Sequence, residues 1–243
     1  MSSWVPTAEK PFLGNFVEFQ ANLLSQEYDV TFLRLLSQFQ KPHKQSANQT
    51  FNYVDVFYKK SKNPILTYFS KKKALKKALK NIRVELIHGH ISFPDGWMFR
   101  LVKSTLNIPL VVTEHGSYYS QKVKWNWRMN WSIPKTLKSA DKIIAVSSFL
   151  ANDMYFRFPN LKINVIGNHL KTIDVERVKQ SSELTFLHIS TLSHVKNVTP
   201  IFYAFSEFLK TNATAQLMIV SDENSTSFQQ LATKLNVAKN ISF

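Results

Sequence analysis

Two histidine-bearing runs and one lysine-bearing loop hold the residues best suited to chemistry in this 243-residue chain. His88-Gly89-His90 closes one apolar run and Thr113-Glu114-His115-Gly116 closes the next. Both runs are rich in Val, Ile and Leu and read as buried strands, and ligands of open α/β sheets sit beyond the carboxyl ends of such strands. An imidazole there titrates near neutrality. His115 therefore either hydrogen-bonds a ligand hydroxyl and moves protons, or stabilises its own loop against Tyr118 and Tyr119. His88 and His90 stand at i and i+2 without cysteine or an evident third ligand, which suits a structural or substrate-facing role, and no metal is expected. The third run, 190–197, follows another short strand and leads into a helix, so Lys196 stands beside a helix N-terminus. Exposed N–H groups and the positive dipole end favour anions there, and lysine adds a full charge. A lysine in a polar loop is equally an ordinary surface residue. The chain has no Walker A sequence and no GxGxxG, which argues against ATPase and nicotinamide-enzyme readings.

These runs need elements to hold them. Short apolar stretches at 29–35, 53–58, 84–88, 109–113, 142–147 and 163–166 read as strands separated by amphipathic segments of helical length. Most are continuous apolar runs, as in a parallel sheet covered by helices on both faces, so the class is α/β. A polar stretch at 168–183 reads as a hinge, dividing a first domain at 1–167 from a second at 184–243. The second series has strands at 185–189 and 216–220, helices at 199–209 and 227–235, and a strand start at 240–243. A doubly wound domain usually carries about five or six strands, so the second domain reads as incomplete and the chain as a fragment. Residues 4–17 read as a loop and helix start with no strand ahead of them.

Charge is the strongest compositional signal. Thirty-one Lys and Arg against 16 Asp and Glu give +15, which points to anionic partners. The densest basic segment, 59–83, contains no acid. From Phe69 onward, Phe69, Ala74, Leu75, Ala78, Leu79 and Ile82 read as one apolar helical face, leaving Lys71, Lys72, Lys73, Lys76 and Lys77 on the other. Such a face is either plainly solvated or docks on an anionic membrane surface. Nucleic acid is not expected, since no base-stacking platform accompanies the lysines. Cysteine is absent. That excludes disulfides and thiolate chemistry and fits a reducing compartment. No signal peptide and no apolar run of about 18 residues is present, so the expected location is cytoplasmic or peripheral on the cytoplasmic face of a membrane.

Taken in order, 2–6 with 14–17, 86–90 with 94–97, 111–116, 140–148, 165–168, 186–197 and 219–222 resemble the collinear motifs of glycosyltransferase family 4. These are retaining enzymes of the GT-B fold, with two Rossmann-like doubly wound parallel-sheet domains. The run ending in His90 resembles the family's IHxH strand end, Thr113 to Gly116 its TEHG, and 186–197 its donor-phosphate loop, usually written GRLxxxKG. The resemblance implies a nucleotide-sugar donor on the second domain, as a substrate and with no cofactor. It implies a lipid-linked or polysaccharide acceptor on the first domain. Lys196 would fall on the pyrophosphate lysine, His115 on the histidine near the transferred sugar, and Gly14 on a loop approaching the donor phosphates. His88, His90 and Asn168 would lie along the substrate cleft. Thr191 stands where the family usually has a phosphate-binding Arg, and Ser190 replaces a glycine. The acidic E-x7-E element would lie beyond Phe243, so the chain is expected to be weakly active or inactive alone. The alternative is a non-catalytic module binding polyanions or membrane surfaces.

Overall fold

The computed structural model of the chain describes residues 1–2, 4, 6, 13–42, 49–80, 82–169 and 184–243. It divides into two compact units, Met1–Lys171 and Thr172–Phe243. Of the expected hinge at 168–183, residues 170–183 lie outside the described residues.

In the first unit, helix α1 (Asn15–Leu24) precedes β1 (Thr31–Ser37) and β2 (Asn52–Tyr58), which pair in parallel. Then come α2 (Pro64–Leu79), β3 (Ile87–His90), α3 (Gly96–Leu106), β4 (Leu110–Glu114), α4 (Trp127–Ser139), β5 (Lys142–Ala145), α5 (Ser148–Arg157) and β6 (Ile163–Val165). Strands β3 to β6 form a four-stranded parallel sheet in sequence order. Met1 and Ser2 lie between the two sheets: the His90 amide donates to the Met1 carbonyl at 3.0 Å, and Ser2 bridges Arg34 of β1 in parallel.

The strand β1 is buried on both faces, and its alternation sorts the layers. Phe32 and Leu36 join Val17 and Ala21 of α1 in one cluster. Leu33 and Leu35 join a larger core that takes in Leu75 and Leu79 of α2, Phe99 of α3, Ile133 of α4 and Met154 of α5. Helices therefore cover both faces, as the continuous apolar runs require. Arg34 is the polar exception on β1. It faces Asp55 directly across the ladder, donates to it at 2.6 and 2.9 Å, and lies 3.5 Å over the Tyr53 ring. The helix starts are written locally. Asn63, Asn126 and Ser147 each accept a hydrogen bond from a first-turn amide of α2, α4 and α5.

Several strands depart from their expected bounds: the run at 29–35 pairs as Thr31–Ser37, that at 142–147 as Lys142–Ala145, and β3 is displaced most. The segment expected at 84–88 pairs instead at Ile87–His90, because the Ile87 amide is held by the Pro109 carbonyl and the register runs on from Ile87↔Leu110 to His90↔Thr113. Val84 and Glu85 lie outside it. Gly89 is required at its centre, since a Cβ there would come 2.6 Å from the Phe99 ring.

The second unit carries β7 (Thr185–Ile189), α6 (Thr199–Leu209), β8 (Gln216–Val220), α7 (Thr226–Lys234) and β9 (Ile241–Ser242), with all three strands parallel in sequence order. Leu217 and Ile219 turn inward onto Phe202, Phe205 and Ala232 of the two helices. Met218 and Val220, the alternate positions, are exposed.

Candidate active site

Strands β3 and β4 end side by side and bring their histidines together. His88 and His90 share one face of β3, with ring centroids 4.3 Å apart. The His88 Nε2 is 2.7 Å from the Thr113 Oγ1. The His90 Nδ1 lies 3.2 Å from the His115 Nε2, so one of these two nitrogens carries the shared proton. The other His115 ring nitrogen, Nδ1, is buried and has no hydrogen-bond partner among the described residues. Burial disfavours the charged imidazolium, holding His88 down at about 3, His115 at about 4 and His90 well below 6.5. The cluster is neutral across the physiological range. It is built to exchange hydrogen bonds and not to present positive charge. Among the described residues no three His, Asp or Glu side chains form a group able to hold a metal.

The N-terminus of α1 closes over this cluster. Phe16 lays its ring 4.3 Å from that of His115. Gly14, the residue before the helix, sits at φ +69°, and a Cβ there would lie 2.1 Å from the Trp4 carbonyl oxygen. Both the left-handed backbone and the close approach demand glycine. Its carbonyl accepts from the Val17 amide, and no side chain caps the helix. The unpartnered His115 Nδ1 and an uncapped helix start thus belong to one neighbourhood.

Glu114 clamps the loops beneath. It is fully buried, takes the Ser92 amide at 2.9 Å on Oε1 and the Tyr118 hydroxyl at 2.7 Å on Oε2. Burial raises its pKa, against the lowering by those hydrogen bonds. Asp95, just before α3, is also buried, with an Oδ2 that has no partner among the described residues. Burial raises it to about 6, opposed by Lys71. Neither carboxylate stood out beyond its motif in the sequence, because their burial, the Ser92 contact of Glu114 and the approach of Lys71 to Asp95 depend on segments more than 20 residues away. Phe16, 99 positions before His115, left no local signal either.

Asn168 meets the same helix, α1, one turn beyond Phe16. Its Oδ1 accepts from Gln20 of α1 at 3.4 Å, and neighbouring His169 stacks on Phe19 at 5.7 Å. The α2 lysines are divided. Lys72, Lys73, Lys76 and Lys77, with Lys80 and Phe69, line an open groove of about 520 Å³. Lys71 is turned inward, 4.8 Å from the Tyr58 ring centroid. Phe69, expected on the apolar face, is 58% exposed. Leu75 and Leu79 set which side of α2 is buried, and Phe69 falls outside their arc.

In the second unit the loop after β7 is polar and hydrogen-bonded to itself. His188 Nε2 is 2.7 Å from Ser190 Oγ, and Thr191 Oγ1 is 3.0 Å from Ser193 Oγ. Lys196 ends a 3-10 turn, His194–Lys196, and is exposed, with no ion pair to another described residue. Asn197 follows at φ 45°, and α6 then starts with Pro200 in its first turn and no side-chain cap. An ammonium with no ion pair among the described residues therefore stands just ahead of α6; Pro200 has no N–H and the Ile201 amide is taken by the Val198 carbonyl, so the pull on an anion there comes chiefly from the lysine charge.

Comparison with known proteins bears on this geometry. The protein is 24% identical over 176 residues to an uncharacterized glycosyltransferase of Methanocaldococcus jannaschii, covering 71% of this chain and 48% of that one. The chain thus spans about half the length of that curated relative. Its fold is similar to that of WaaG, a glycosyltransferase involved in lipopolysaccharide biosynthesis, with a TM-score of 0.63 at 14% identity over 100% of this chain and 67% of that one. It is also similar to the lipopolysaccharide outer core galactosyltransferase WaaB, with a TM-score of 0.61 at 15% identity over 99% and 66%. These likenesses give an α/β fold of GT-B type with parallel sheets. The profile of Glycosyltransferase Family 4 matches residues 16–172, from the helix that covers His115 to the end of the first unit, and the chain belongs to that family.

Proposed function

We propose that the protein acts in moving a sugar from a nucleotide-sugar donor to a lipid-linked or polysaccharide acceptor, with retention of configuration. The observation that supports this reading is the buried Nδ1 of His115, without a partner among the described residues, beside the start of α1 and within the stretch that matches the family. A neutral imidazole whose other nitrogen is engaged by His90 offers one directed hydrogen bond to a sugar hydroxyl. Lys196, ahead of α6, supplies the cation for the leaving diphosphate, where charge develops as the glycosyl bond breaks. With Thr191 nearby instead of an arginine, Lys196 carries more of that task. The lipopolysaccharide connection of the two structural relatives supports an acceptor that is lipid-linked or a glycan. The free lysines of α2 fit docking to an anionic membrane surface, where such acceptors reside.

The test is a panel of nucleotide sugars, read for donor hydrolysis and transfer in the protein as encoded by its full reading frame. Lys196→Ala should lower turnover by about 10²- to 10³-fold with little change in thermal midpoint, and Lys196→Arg should be milder because the charge survives. Near-parental turnover in Lys196→Ala would remove the donor-phosphate assignment.

A further inference from the structure

Helices α2, α3 and α4 lie in series on one side of the first unit. All three pack on the same core. Tyr68 of α2 meets Trp97 of α3 at 4.9 Å, and Arg100 of α3 lies 5.4 Å over Trp131 of α4. A Cβ on Gly96 of α3 would collide with Thr136 of α4, so these two helices approach closely. Their outward faces therefore form one surface.

That surface has an unusual composition. Across Pro64–Leu79, Gly96–Leu106 and Trp127–Ser139 there is not one Asp or Glu; Lys103 pairs with Asp141, just past α4, at 2.6 Å, and among the described residues the other basic side chains of these helices make no ion pair. At the same time it leaves large apolar groups in solvent. Ile65, Leu66 and Phe69 of α2 are 63, 58 and 58% exposed, and Trp127 and Trp131 of α4 are 74 and 54% exposed. The two indoles stand one turn apart, on one stripe of the helix. Cations flank them: Lys135 lies 4.2 Å over the Trp131 ring and Arg128 5.3 Å over that of Trp127.

We infer that the three helices form a single interfacial docking surface for an anionic lipid bilayer, in which Trp127 and Trp131, with Ile65, Leu66 and Phe69, enter the headgroup region. This deepens the membrane part of the reading above and extends it from the lysines of α2 to a second, aromatic element. Charge complementarity selects an anionic partner. The exposed aliphatic and aromatic groups then select lipid among anionic partners. A polyanion in water would satisfy the cations but leave Ile65, Leu66 and both indoles wet, whereas a bilayer interface takes an apolar body and a cationic rim together. No described helix is long and apolar enough to cross a membrane, so the fit is to the interface.

The test is sedimentation with vesicles of phosphatidylglycerol and phosphatidylcholine at low and high salt, using the full chain and two exposed-face variants whose folding is checked by thermal melting. Trp127→Ala/Trp131→Ala should weaken binding by about tenfold or more at both salt concentrations, since buried apolar area is not screened. Lys72→Gln/Lys73→Gln/Lys76→Gln/Lys77→Gln should weaken it chiefly at low salt. Brominated lipid should quench the tryptophan emission of the parent more strongly than that of the double Trp variant. Parental binding by the double Trp variant would overturn the inference and leave the lysine reading standing. Absence of binding by the parent would overturn both, without touching the sugar-transfer assay. If the parent self-associates in solution through Trp127 and Trp131 and shows no quenching, the surface belongs to a second copy of this chain and the inference fails.

Discussion

Acidification should unfold the first unit through its histidine cluster, and the size of the effect follows from the buried rings. Each imidazole is held neutral in the fold by burial, with His88 at about 3 and His115 at about 4 against 6.5 in an open chain. A group whose folded pKa is depressed below its unfolded value contributes stability above the unfolded pKa and loses it as pH falls towards the folded one. For a shift from 6.5 to about 4 or lower, the loss between pH 7 and pH 5 is about 2 kcal/mol per ring. His88 and His115 together lose about 4 kcal/mol, and His90, buried beside both and also lowered, acts in the same direction. Asp95 opposes them. Its pKa is raised from 3.8 to about 6, so its penalty at neutral pH is relieved on acidification, by about 1 kcal/mol over the same interval. The histidines win. A net loss of several kcal/mol is a large part of a typical domain's total stability and should lower the thermal midpoint by about 10 °C. Circular dichroism melts at constant ionic strength from pH 7 to pH 5 measure it directly. His88→Gln, which keeps a hydrogen-bonding group towards Thr113, should reduce the pH-dependent loss by about 2 kcal/mol. A midpoint that stays level between pH 7 and 5, or assigned His88, His90 and His115 resonances that titrate near 6.5 in the folded protein, would refute the reasoning.

Gly14→Ala should destabilise the first unit by at least about 1–3 kcal/mol through its positive φ and the collision with the Trp4 carbonyl, seen as a lower urea midpoint. An unchanged midpoint would show that α1 starts differently. Gly89→Ala should cost about 1–3 kcal/mol by overpacking against Phe99, and adding Phe99→Leu should recover part of it. Arg34→Met should cost about 3–5 kcal/mol because it leaves Asp55 without its cation, and Arg34→Met/Asp55→Leu should be closer to the parent in chemical denaturation. Equal stabilities for the single and double variants would mean that the ion pair is not coupled.

The alternation of apolar runs with helical segments determined the α/β class by itself, because strands covered on both faces must be apolar throughout and helices between them amphipathic. It also placed the histidine-bearing runs at strand ends, where a parallel sheet opens to ligands. Strand β7 and helix α6 were legible to the residue, each bounded by polar or helix-starting residues. Strand β3 was not. Its ends depend on hydrogen bonds to β4, and apolar residues upstream of Ile87 look the same in sequence whether or not they pair. Likewise the sequence named His88, His90 and His115, but only the adjacent ends of β3 and β4 showed that His90 engages one nitrogen of His115, the other having no partner among the described residues. Phe16 over His115, Glu114 tying two loops, and the joining of the acid-free helices α2, α3 and α4 into one surface all depend on contacts between distant segments. Short-range pattern reports which way a residue faces along its own element. Which elements become neighbours is decided by how their apolar faces are buried together, and that is settled only when the chain closes on itself.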